Sequence, residues 1–246
     1  MSKQNREQGR SERAAAVQAE HARNERNRRV ALIVGIVVVL GAIVAGGAWY
    51  SAGGKNDSPS ATSATVTAGE GSVLVGDADA PVKVQIYEDF QCPYCRQLEQ
   101  ETRDFLSENA ANGKVQVEYR PIHLLTDLPY SAKALNAFAA VLTHGTPDEA
   151  YKLHNLLYDN QPYESDSASV SDDDIAKMVA DSGAKGPEID AALKTTDTAF
   201  FAAADQAVQD AQIQGTPTVF IDGKQVQAAS VPDIVAEIEK AVSNAG

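Results

Sequence analysis

Cys92-Pro93-Tyr94-Cys95 contains the only two cysteines of the 246-residue chain. Val82-Lys83-Val84-Gln85-Ile86-Tyr87, just upstream, is apolar at every second position and rich in β-branched and aromatic residues, the pattern of a strand. Downstream, Cys95, Leu98, Thr102, Phe105 and Leu106 fall on one side of a helix. Cysteines at i and i+3 of a helix face the same way, close enough to join without backbone movement. Cys92 then stands at the helix N-terminus, where unpaired N–H groups and the helix dipole stabilise a thiolate. The thiolate is the attacking species in disulfide exchange, and a second thiol one turn on resolves the mixed disulfide.

Other uses of a cysteine pair are weaker here. Structural zinc needs about four ligands, but there is no second Cys pair and the four histidines are scattered at 21, 123, 144 and 154; no metal is expected. A purely structural disulfide across so short a loop would restrain the unfolded chain little.

The second motif is Gly215-Thr216-Pro217-Thr218-Val219-Phe220-Ile221-Asp222-Gly223-Lys224. Proline cannot donate to a sheet ladder, so Pro217 belongs at the start of its strand or on an edge. Asp222-Gly223 is a hairpin turn signal.

Phe90-Gln91-Cys92-Pro93-Tyr94-Cys95, with the run from Gly183-Ala184-Lys185-Gly186 to Asp222-Gly223-Lys224, resembles the DsbA-like thiol-disulfide oxidoreductases over about residues 73–245. The resemblance implies an α/β, thioredoxin-like fold with an inserted α-helical subdomain. It implies Cys92 as an exposed nucleophile and Cys95 as the resolving thiol, with Pro93 and Tyr94 facing solvent and tuning the thiolate. Thr216 and Pro217 become a substrate platform: the proline is cis, the Thr216 backbone pairs with an extended client segment, and the Thr216 hydroxyl donates to the Cys92 thiolate. The family often carries an acid six residues before its first cysteine, where this chain has Ile86. Glu88 is the candidate proton relay, with Asp89 as its substitute; the rival reading makes both solvated turn residues. His123, His144 and His154 read as helix or loop residues without a nucleophile nearby. No cofactor is expected. Pro-Tyr between the cysteines is also the glutaredoxin dipeptide, but glutaredoxins are small, cytosolic and lack a helical insert.

These residues need elements to position them. The domain, expected over 73–246, starts with a strand at Val73-Leu74-Val75, and the cysteine helix ends near Asn112-Gly113. Val115-Gln116-Val117-Glu118-Tyr119 alternates as the next strand. The helical insertion is expected over about 122–212, with apolar stripes through Leu135, Phe138 and Leu142 and through Tyr151, His154 and Tyr158. Ser171 and Asp174 form a capping box, and Pro187 opens one long helix whose apolar face runs from Ile189 through Phe200 to Ala211. Ser230 with Asp233 caps a final helix.

The N-terminal third differs in character. Residues 1–29 carry eight Lys/Arg against four Glu, a basic tail read as cytoplasmic. Residues 30–50 are uncharged, and as a helix their 21 residues would span about 31 Å, against a hydrocarbon core of about 30 Å. Trp49 and Tyr50 suit the far interface and Arg28-Arg29 the cytoplasmic side, so a single transmembrane helix anchors the chain. A cleaved signal peptide is the rival reading, disfavoured by the lengths of both segments. Residues 51–72 read as a flexible tether. Residues 51–246 carry thirteen Lys/Arg against thirty Asp/Glu, a balance that argues against nucleic acid as a partner.

The expectation is a membrane-anchored, extracytoplasmic oxidase that introduces disulfides into secreted or envelope proteins. A quinone-linked membrane protein would re-oxidise it, because the chain has no third cysteine. An anchored reductase or isomerase, or a redox-inert peptide-binding domain, remains the alternative.

Overall fold

The computed structural model describes residues 64–245. The anchor expected over 30–50 lies outside them, as does the basic tail; among the described residues no helix is long and apolar enough to cross a membrane.

Among the described residues six strands form one sheet: β1 (Val66–Ala68), β2 (Val73–Val75), β3 (Val82–Glu88), β4 (Val115–Pro121), β5 (Thr218–Ile221) and β6 (Lys224–Gln225), in the order β1-β2-β4-β3-β5-β6. β3 and β4 pair in parallel, and the other neighbours are antiparallel. Parallel neighbours need a crossover, and α1 (Pro93–Ala111) supplies it. The apolar members of β3 and β4 are buried in one core with Leu98 and Leu106 of α1. α7 (Val231–Ser243) packs on α1 through Ile238 and Val242, behind the Ser230 cap.

β1 corrects the tether expected over 51–72. Val66–Ala68 is short and half-exposed, pairing only with β2. An edge strand of three residues, Val-Thr-Ala, has too little alternation to stand out from a Ser/Thr/Ala linker.

Between β4 and β5 come the inserted helices: α2 (Pro129–His144), α3 (Pro147–Asp159), α4 (Asp172–Ser182), α5 (Pro187–Ala192) and α6 (Thr198–Asp210). The Ser171–Asp174 capping box is present, and Thr146 with Glu149 makes another at α3. The single helix expected from Pro187 is two. Its apolar period runs straight through the break, but Asn136 of α2 intervenes: its amide donates to the Ala192 and Thr195 carbonyls and its oxygen accepts from the Asp197 N–H. Asp197 then caps α6 by accepting from the Phe200 N–H at 3.0 Å.

Candidate active site

Cys92 is the N-cap of α1, in extended conformation, and Pro93 follows at the first helical position, where no N–H is needed. This places Cys95 one turn in, fully buried, and leaves Tyr94 62% exposed. Both cysteines are free thiols. Contrary to the exposed nucleophile expected, Cys92 is only 5% exposed. The cover comes from the Thr216-Pro217 turn, whose peptide bond is cis: the Cys92 thiol donates to the Thr216 carbonyl at 3.3 Å.

The electrostatics divide the pair. The Cys95 thiol, then the Thr216 side chain and the N–H groups of Cys95 and Tyr94, stabilise a Cys92 thiolate against the cost of burial and bring its pKa down to about 6. Burial pushes the Cys95 thiol well up, the hydrogen bond and charge of Cys92 and the charge of Glu88 add to this, and a hydrogen bond from the Asp89 backbone opposes it. One thiolate at neutral pH beside one protonated thiol is the state that attacks a disulfide and holds the resolving group in reserve.

The turn carrying Cys92 is tied down by polar side chains, among them Asp89, for which the rival reading is a solvated turn residue. Asp89, fully buried, accepts from the Gln91 N–H at 2.8 Å, the Leu124 and Leu125 N–H groups at 2.9 Å each, and the Ser131 hydroxyl at 2.8 Å. Gln161, just past α3, donates through one amide nitrogen to the carbonyls of Phe90 (2.7 Å) and Cys92 (3.0 Å). Arg96 returns a hydrogen bond to the Gln161 carbonyl at 3.1 Å, and Gln91 donates to that of Pro162 at 3.0 Å.

Glu88 is no solvated turn residue either. It is the last residue of β3, fully buried, with Oε1 at 2.5 Å from Nε2 of His154 on α3. His154, read from the sequence as a helix residue without a role, thus joins Glu88 and Glu99 in one buried group whose candidate ligand atoms lie within 4.8 Å of one another. The Nε2–Oε1 separation is that of a short hydrogen bond. Ile86, at the position of the family's usual acid, is a buried core residue. His123 packs edge-on against Phe201, and His144 lies in the last turn of α2.

Beside Pro93 a shallow cavity of about 240 Å³ is lined by Gln91, Arg96, Gln161, Pro162 and Tyr163. Tyr163, 75% exposed, and Tyr94 are the exposed large hydrophobic side chains of the described residues.

A thioredoxin family model matches residues 68–240. The thiol:disulfide interchange protein DsbA of Salmonella typhimurium is 27% identical over 184 residues, 72% of this chain and 83% of that protein. Among solved structures, the MdbA thiol-disulfide oxidoreductase of Corynebacterium diphtheriae superposes with a TM-score of 0.60 at 24% identity, over 75% of this chain and 96% of its own. BdbD of Bacillus subtilis gives 0.58 at 24% identity, over 74% and 98%. Both likenesses are of fold. With the cysteine pair at a helix start and the helices inserted before the proline strand, the chain belongs to the thioredoxin family, as a DsbA-like thiol-disulfide oxidoreductase.

Proposed function

We propose that this enzyme works as an oxidase, passing its Cys92–Cys95 disulfide to reduced client proteins outside the cytoplasm. The supporting observation is the set of donors converging on Cys92, which brings its pKa to about 6. Stabilising the thiolate stabilises the reduced form, and a protein with a stable reduced form is an oxidant. The value falls between about 7 for thioredoxin and about 3.5 for DsbA.

The client thiolate attacks Cys92 and Cys95 leaves, taking up a proton because a buried thiolate there is disfavoured. The client's second thiolate then attacks its own sulfur in the mixed disulfide, and Cys92 leaves as the thiolate. Two electrons pass from client to enzyme; of the two protons the client gives up, one is matched at Cys95 and one goes to solvent. Pro93 and Tyr94 shape the exposed rim and tune the thiolate. Thr216, whose carbonyl faces the sulfur, and Pro217 form the platform for an extended client segment. Glu88 serves Cys95 as a proton relay. Residues 30–50 hold the enzyme to the lipid bilayer with the N-terminus cytoplasmic, and a membrane-embedded, quinone-linked protein returns the disulfide.

Equilibrating the full-length chain with glutathione redox buffers tests the direction of the reaction. The expected equilibrium leaves the pair reduced at glutathione ratios that keep thioredoxin-like pairs oxidised. An equilibrium matching thioredoxin's would reverse the assignment to a reductase. Protease treatment of spheroplasts tests the anchor: the domain should be digested while a tag on residue 1 survives.

A further inference from the structure

We infer that His154, a residue of the inserted helices, is a positioning residue for the dithiol chemistry: it holds on Glu88 the proton that Cys95 takes up and gives back. The inference deepens the role proposed for Glu88 and rests on the Cys92–Cys95 assignment.

Geometry carries it. His154 Nδ1 lies 3.1 Å from Oδ1 of Asn155, an acceptor, so Nδ1 bears a hydrogen. Nε2 lies 2.5 Å from a carboxylate oxygen of Glu88. With Nδ1 protonated, an Nε2 lone pair facing a carboxylate at that distance would be repulsive, so a proton occupies the line between them. Whichever atom owns it, this is a transferable proton at zero solvent exposure, and the side chain holding it is adjacent in sequence to Asp89, whose carbonyl accepts from the Cys92 N–H at 2.9 Å; the charge of Glu88 acts on the Cys95 thiol and helps to raise it.

The rest of the pocket keeps that proton in place. From α1, Glu99 Oε2 stands 4.0 Å from His154 Nδ1, and both Glu99 oxygens lack a hydrogen-bond partner. Arg103 approaches Glu99 at 3.7 Å while its other end pairs with Asp159. From β4, Tyr119 lies against the imidazole at 4.7 Å between ring centres, and Tyr151 and Tyr158 close it in on α3. Burial opposes the His154 imidazolium, but the two carboxylates outweigh it and its pKa is raised. Burial and the charge of Glu88 push Glu99 up to about 7. Buried carboxylates that cannot both be charged are offset by one shared cation, and the group therefore exchanges protons near neutrality.

The step balances without a co-reactant. When Cys95 attacks the mixed disulfide between Cys92 and a client, its thiol loses a proton to Glu88, whose Oε2 is buried without a hydrogen-bond partner, while His154 keeps the proton between Nε2 and Oε1. The Cys92–Cys95 bond forms as the client sulfur leaves with the electron pair. Client oxidation runs this in reverse.

The test is the resolution rate of a mixed disulfide between Cys92 and a single-cysteine peptide on the full-length chain, followed from pH 5.5 to 9 by quenched flow. His154→Gln keeps an N–H for Glu88 but cannot carry the proton. Its resolution should be at least tenfold slower than wild type near pH 6.5, and the gap should close to within about twofold at pH 9, where hydroxide supplies the base. Equal rates throughout, or a slowing that pH does not repair, would overturn the inference. Should His154→Gln not fold, ring ¹⁵N NMR of wild-type His154 decides: its proton affinity should differ at least threefold between the oxidised and reduced chains, and identical midpoints would refute the coupling. One equivalent of tightly bound divalent metal at this group would also refute it. A wild-type chain that does not resolve the peptide at any pH would instead remove the Cys92–Cys95 assignment.

Discussion

The Cys92 sulfur lies 3.3 Å from the backbone carbonyl oxygen of Thr216, across a sequence separation of 124 residues. The same sulfur is a donor when it is a thiol and an acceptor, facing Cys95, the Thr216 side chain and two N–H groups, when it is a thiolate. The acidity of Cys92 thus joins the local helix start, where the Cys95 thiol makes the largest contribution, to Thr216 from the far end of the chain.

Thiolate absorbance near 240 nm in the reduced chain should titrate with a midpoint at about 6. Cys95→Ala removes the largest contribution and should raise the midpoint by about one to two pH units, since a hydrogen bond to a charged group contributes about 1.5–3 kcal/mol. A depressed pKa stabilises the folded, reduced chain at pH above the ordinary thiol value, and that gain is lost as pH falls through about 6. The melting-temperature difference between reduced wild type and Cys92→Ser should shrink accordingly on acidification.

Cys95→Ala should accumulate mixed disulfides between Cys92 and clients, because the attacking thiol is intact and the resolving one is gone. Cys92→Ala should accumulate almost none, as Cys95 is fully buried. Non-reducing gels of cells expressing each variant read this directly. Equal trapping would reverse the roles.

Asp89→Ala would leave three N–H groups and a hydroxyl without their acceptor. The expected loss is ~3 kcal/mol or more in denaturant unfolding, the scale for disrupting a buried charged network. Asp89→Asn, which keeps one acceptor oxygen, should fall between it and wild type. A surface-like loss below ~0.5 kcal/mol would show that the network contributes nothing.

Glu99, raised to about 7, is protonated in the folded chain over a range where an unfolded carboxyl is not. The folded state then holds the extra proton, so stability should fall as pH rises from about 4.5 to about 7, by ~1.4 kcal/mol per pH unit for one proton. Glu99→Gln should flatten that slope and be more stable than wild type above pH 7. Unfolding by urea at a series of pH values measures both.

What could be read from the sequence follows from how local each signal is. The cysteine pair, Pro93, the Thr216-Pro217 strand start and the capping boxes are set by neighbours within a few positions, and periodicity locates α1, β3 and β4. Glu88 stood out as a candidate relay with Asp89 as its substitute, but the long-range partners of Glu88, Asp89 and Gln161 could not be read, because they lie 66, 35 and 71 residues away. A carboxylate after a strand usually meets water; here it meets an inserted helix. The break between α5 and α6 was hidden for the same reason, since Asn136 is on another helix. His154 sat in a recognisable apolar stripe, which announced its burial and concealed its partner.

The struts from Asp89 and Gln161 bear on how such enzymes can be re-engineered or diversify. The Cys92 turn hangs from two separate points of the crossover between β4 and β5: the stretch entering α2 and the residue leaving α3. Grafting Cys-Pro-Tyr-Cys onto a minimal thioredoxin scaffold would transplant the sulfurs and leave their setting behind. In this chain the reactive turn is held jointly by its own helix start and by a domain inserted after it, so a substitution in the insertion reaches the chemistry without touching a cysteine.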